Sequence, residues 1–246
     1  MADCHWPKID EPFASALREA LAYILAEYEP VGIVVGGSVL RGQGDATSDL
    51  DIYVIHQAGW RQRAQKRFNG VAVEIFVNPP AQVQRYFAEE RRAGRPVTAH
   101  LLTTGFVVLE TDASLGQLRA EAALFLQQRP DLTPQALEVQ RYMAVDLLDN
   151  AADVIERSPE TALFVLEQAM QRLIVYAYLA ANRNLPRQKE TLDRLDEIDP
   201  ALQQLARTFY SAAPLSQRHA TALEFAERAM GVSSFYEWAS EPQEVS

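Results

Sequence analysis

The chain has 246 residues, 48% hydrophobic and 23% charged, which suits one large domain or two modest ones with a buried core. Lys and Arg number 23 against 33 Asp and Glu, a net charge of −10. This balance argues against a nucleic-acid acceptor, whose phosphates are neutralised by basic side chains. Cys4 is the only cysteine, which excludes an internal disulfide. No run approaches the roughly 18 apolar residues of a membrane span, and the first residues lack the apolar core of a signal peptide, so a cytoplasmic protein with no membrane partner is expected.

In chain order, residues 12–28 carry apolar positions at helical spacing after Pro12 and predict a helix. Residues 31–35 form a short β-branched run that stops at Gly36-Gly37, a buried strand entering a tight turn that opens a helix. Residues 50–56 and 71–77 read as further strands, and Asn69-Gly70 marks a hairpin that pairs residues 66–68 with the start of the later one. Helices follow at 81–92 and 97–103, then a strand at 105–110 and a helix at 113–128.

Pro130 and Pro134 bracket a polar link, which places a domain boundary between residues 1–128 and 129–246. Beyond it the pattern is helical, over 134–156, 159–182, 187–196, 200–211 and 215–237, with prolines at several helix starts. The expected fold class is α+β, an N-terminal mixed-sheet domain followed by an all-α bundle with Tyr176 and Tyr178 in or beside its core.

Residues 36–54 are the most informative. Gly37 and Ser38 follow a strand, where free backbone N–H groups suit a phosphate, and Arg41 and Gly42 continue the loop. Asp49 and Asp51 stand at the start of the second strand, where residues two apart face the same way. Two carboxylates on one face repel each other unless a cation lies between them, and Mg2+ takes a few carboxylate oxygens together with phosphate and water. Glu74 is set among apolar residues of the 71–77 strand, an expensive place for a charge without a partner. If that strand lies beside the second, Glu74 joins the pair either as a third metal ligand or as a base.

Gly37-Ser38, Ser48-Asp49-Leu50-Asp51 and Glu74 together resemble the nucleotidyltransferase superfamily that includes DNA polymerase beta. They are most similar to the aminoglycoside nucleotidyltransferases and the bacterial minimal nucleotidyltransferases. The likeness covers the first 80 or so residues, with one further stretch at 185–189. It implies Mg2+ held by Asp49, Asp51 and Glu74, and ATP or another nucleoside triphosphate held by Gly37, Ser38, Arg41, Ser48 and Lys189. It also implies transfer of a nucleoside monophosphate, AMP above all, to a hydroxyl of a small molecule, with an aminoglycoside-like antibiotic as one candidate. Two other readings stand beside this one: a protein-modifying enzyme like the antitoxins that add AMP to a toxin, and a regulatory module that binds nucleotide without turnover. The acceptor, the base and the oligomeric state stay open, a homodimer included. Residues 61–95 carry eight basic and three acidic residues, read as a solvated face or the border of a triphosphate pocket.

Overall fold

The computed structural model describes residues 4–42, 44–45, 47–211 and 214–242. The chain divides into two compact units, Met1–Gln128 and Arg129–Ser246.

The first unit begins with α1 (Phe13–Glu27), whose buried face is Leu17, Ala20, Leu21 and Ile24 at the spacing of successive helical turns. β1 (Pro30–Gly36), β2 (Leu50–His56), β3 (Gln62–Phe68), β4 (Val71–Asn78) and β5 (Phe106–Glu110) form one sheet in the order β3-β4-β2-β1-β5. Only β2 and β4 run parallel; the other neighbours are antiparallel. Asn69 and Gly70 both take positive φ, 44° and 79°, the conformation of a two-residue hairpin turn. That turn pairs all of β3 with β4, from Phe68 opposite Val71 to Gln62 opposite Val77, so the hairpin is longer than the three residues its sequence suggests.

The sheet has two apolar faces. Ile33, Val35, Leu50, Ile52, Val54, Val73, Ile75 and Val77 pack with α1. Val34, Tyr53 and Ile55 pack on the other side with α2 (Pro80–Arg92), α3 (Val97–Thr104) and α4 (Ser114–Gln127). β4 alternates strictly until its end, with Val71, Val73, Ile75 and Val77 buried and Ala72, Glu74 and Phe76 half-buried on the opposite face.

The second unit is all-α: α5 (Pro134–Val154), α6 (Pro159–Ala180), α7 (Pro200–Tyr210) and α8 (Leu215–Met230). Its core includes Leu148, Met170, Leu173, Tyr176, Tyr178, Phe209 and Phe225, all buried. Thr133 caps α5 by accepting from the Ala136 N–H at 3.1 Å, and Asp199 caps α7 from Ala201 at 2.8 Å. Asp199 also pairs with Arg228 of α8 at 2.6 Å.

Two of the expected bundle helices differ. Residues 187–196 form two short 3-10 turns, Gln188–Glu190 and Asp193–Glu197, not a helix. The last helix stops at Met230 rather than 237, because Gly231 takes a left-handed φ of 68° and closes it with an N–H to the Glu227 carbonyl at 2.8 Å. Among the described residues no helix is long and apolar enough to cross a membrane.

Candidate active site

β1 ends with Gly36 opposite Asp51 of β2. The next residue, Gly37, has φ +103°, where any side chain is strained, and a Cβ there would lie 3.3 Å from the Asp49 carbonyl and 3.5 Å from Asp51 Oδ2. Glycine is therefore required for the turn to pass over the Asp51 carboxylate. The Gly37 and Ser38 amides have no hydrogen-bond partner among the described residues. After them the chain makes a single 3-10 turn, Val39–Arg41, ended by Gly42 in the left-handed region at φ 70°. The helix expected to open here is that one turn, too short to build a helix dipole. Capacity for a phosphate rests on the two free amides and on Arg41, which is exposed.

Hydrogen bonds tie this turn to the entry of β2. Ser38 Oγ donates to Ser48 Oγ at 3.2 Å, and Ser48 Oγ donates on to Asp45 Oδ1 at 3.1 Å. Asp45 also accepts from the Thr47 amide at 2.9 Å and the Thr47 hydroxyl at 2.8 Å, a local turn built by one carboxylate. The hydroxyl proton of Ser38 is thus used within the protein, which leaves its amide for a phosphate, and Ser48 braces the turn.

Asp49 is exposed just ahead of β2; Asp51 lies one turn of the pleat further on, half-buried. In the parallel β2–β4 ladder Asp51 stands directly opposite Glu74, strands apart by about 4.8 Å. Burial pushes the Asp51 carboxyl up to about 6, the charges of Asp49 and Glu74 push the same way, and Arg41 and Arg63 oppose them. Negative charge accumulates here faster than the protein's own cations offset it.

Glu74 is not left alone on its apolar strand. Arg63 and Gln65 of β3 converge on its Oε1: Arg63 Nε at 2.9 Å, Arg63 Nη2 in a closer contact, and Gln65 Nε2 at 2.7 Å. Arg63 also lies over the Phe76 ring, 5.1 Å from its centroid. No donor among the described residues reaches Oε2, so Glu74 is oriented through one oxygen and free at the other. The sequence reading missed both partners.

A divalent cation can be tested against this donor set. Among the described residues no three carboxylate, imidazole or thiol groups stand close enough to enclose an ion by themselves. Asp49, Asp51 and Glu74 offer only hard oxygen atoms, and Asp51 carries uncompensated charge. That is the incomplete carboxylate set suited to Mg2+, which keeps water and substrate phosphate in its shell. Lys189 is exposed on the 3-10 turn Gln188–Glu190 of the second unit, where its neighbours Arg187 and Glu190 form an ion pair.

Residues 17–100, which hold Gly37, Asp49, Asp51 and Glu74, match the family model described as nucleotidyltransferase domain. Among solved structures, a nucleotidyltransferase-like protein from Exiguobacterium sibiricum 255-15 shares the fold. It is 15% identical, the alignment covers 88% of this chain and 73% of that one, and the TM-score is 0.53. No curated protein matches the chain.

Proposed function

We propose, from the match of residues 17–100 to the nucleotidyltransferase domain, that the chain is a nucleotidyltransferase that transfers AMP from Mg2+-bound ATP to a hydroxyl of a small, cationic acceptor. The observation that carries the reading is the half-buried Asp51, its carboxyl raised to about 6 between Asp49 and Glu74 beneath a turn that only glycine can form.

In this reading Asp49 and Asp51 hold the cation, and the Gly37 and Ser38 amides hold phosphate oxygens. The bound cation supplies charge neutralisation of the triphosphate and lowers the pKa of the attacking hydroxyl. Glu74 Oε2 takes the proton as the acceptor oxygen bonds to the α-phosphorus and the bond to the β-phosphate bridging oxygen breaks, releasing pyrophosphate. Arg63 and Gln65 fix the Glu74 carboxylate for that role. A carboxylate is a weak base toward an alcohol, so the transfer depends on the activated hydroxyl. The net charge of −10 favours a cationic acceptor over a polyanion, and an aminoglycoside fits that description.

ATP labelled at the α-phosphorus and incubated with a panel of aminoglycosides tests this directly. Label appearing on one of them, with pyrophosphate released in equal amount, is the expected result. ATP binding without transfer to any member would overturn the acceptor class. Transfer from GTP or CTP but not ATP would overturn the choice of base.

A further inference from the structure

A cavity of about 590 Å3 opens at the end of the sheet away from the carboxylates. One wall is the β2–β3 turn from Gln57 to Arg61, and the other is the start of α2, including Gln82 and Arg85. β2 and β4 run parallel, so their carboxyl ends open on the same edge, the place where ligands settle in parallel sheets. Asp49 and Asp51 lie at the amino end of β2, and its length separates the two places by roughly 15–20 Å.

Three independent features of the lining select an anion. Arg61 and Arg85 are both part of it and no Asp or Glu is, in a chain whose net charge is −10. Arg61 is fixed by the Tyr86 hydroxyl and lies over that ring at 5.8 Å, whereas Arg85 has no hydrogen bond or ion pair with any described residue. α2 begins here with no side-chain cap and no acidic residue in its first turn; Pro79 and Pro80 carry no N–H and Gln82 and Val83 donate to the Pro79 carbonyl, which leaves the Ala81 N–H without a partner among the described residues. One carboxylate touches a lining residue: Asp112 accepts from Gln57 Nε2 at 3.0 Å and from the Ser114 amide at 2.8 Å.

The lining also offers a surface for a ring. Trp60 is 46% exposed although its indole packs 4.2 Å from the His56 imidazole, and the Trp60 carbonyl lies 2.8 Å from His56 Nε2. The exposed indole is therefore held in place. A bare phosphate needs neither an aromatic wall nor this volume, which falls in the range of organic-ligand sites.

We propose that this cavity is a second nucleotide site, taking a nucleoside monophosphate or diphosphate apart from the carboxylate centre. The phosphate sits against Arg61, Arg85 and the start of α2, and the base lies on Trp60. The site does not depend on the transfer chemistry proposed above.

The test uses the full chain in EDTA, titrated with AMP, GMP, CMP and UMP and followed by calorimetry and tryptophan fluorescence. At least one binds with a Kd below about 1 mM and changes the fluorescence. Arg85→Glu and, separately, Gln82→Glu weaken that binding about tenfold or more with an unchanged circular dichroism spectrum. Trp60→Phe abolishes the fluorescence change, and an Asp49→Ala/Asp51→Ala double variant binds as the wild type does. The proposal is overturned if no mononucleotide binds, or if inorganic phosphate binds as tightly. It is equally overturned if only a single-stranded oligonucleotide binds, or if the Asp49/Asp51 double variant loses binding while Arg85→Glu keeps it.

Discussion

Replacing Asp51 by asparagine separates stability from activity. The folded-state carboxyl titrates at about 6 against an ordinary value of 3.8, so the folded protein binds its proton more tightly than the unfolded chain does. Stability from this group is therefore complete below about pH 4, declines as pH rises through about 6, and stays low above. The gap of roughly two pKa steps, at about 1.4 kcal/mol each, sets a ceiling near 3 kcal/mol on the cost of the ionised form at pH 8. The asparagine side chain keeps the size and removes the charge. In EDTA at pH 8 the variant should melt higher, by roughly 6–12 °C for a chain of this size if the full cost is recovered. The two melting curves should converge toward pH 4, and nucleotidyl transfer should fall to background. Adding Mg2+ and ATP should raise the wild-type Tm and leave that of the variant unmoved. Thermal unfolding by circular dichroism between pH 4 and 8 reads all of this. A variant no more stable than the wild type at pH 8, or a difference that does not change with pH, would refute the reasoning.

Other perturbations act on separate parts of the site and scaffold. Gly37→Val forces a branched side chain into φ +103° against the Asp49 carbonyl and Asp51 Oδ2. It should cost about 1–3 kcal/mol in denaturant unfolding and abolish Mg2+-ATP binding by calorimetry. Arg63→Ala should lower kcat about 10- to 100-fold with KM for ATP little changed, because Glu74 loses the fork that orients it. Arg63 is 65% exposed, so the same variant should shift stability by less than about 1 kcal/mol; Arg63→Lys, lacking the fork, should restore only part of the rate. Phe225→Ala, at a fully buried position of the second unit, should destabilise by about 3–5 kcal/mol in a urea titration.

Much of the first unit is legible in the sequence because its elements bury one-sided or continuous apolar runs. The β-branched stretch of β1 is interior on both faces, α1 repeats its leucines and alanines at helical spacing, and Asn69-Gly70 announces its own turn. The Asp51–Glu74 juxtaposition follows only once β2 and β4 are neighbours, which local pattern does not encode. Arg63 and Gln65 were missed for a different reason. In a two-residue hairpin each step back from Phe68 is matched by a step forward from Val71, which puts Gln65 opposite Glu74. The register was available, but β3 has an exposed, polar pattern without the alternation that marks a strand, so the hairpin was read too short. The strand–Gly-Ser turn after β1 suggests the start of a helix, but Gly42 in the left-handed region ends it after the single turn Val39–Arg41. The 187–196 segment likewise has helix formers but buries only Leu195 in its second 3-10 turn, too little apolar surface to hold a regular helix.

The central claim is that Asp49 and Asp51 hold a divalent cation on the triphosphate of a bound nucleotide. Crystals grown with Mn2+ and a non-hydrolysable ATP analogue, measured at the manganese absorption edge, address it directly. An anomalous peak within about 2.3 Å of oxygens from both aspartates and from the analogue is the predicted result. An ordered analogue whose metal touches neither carboxylate would contradict it.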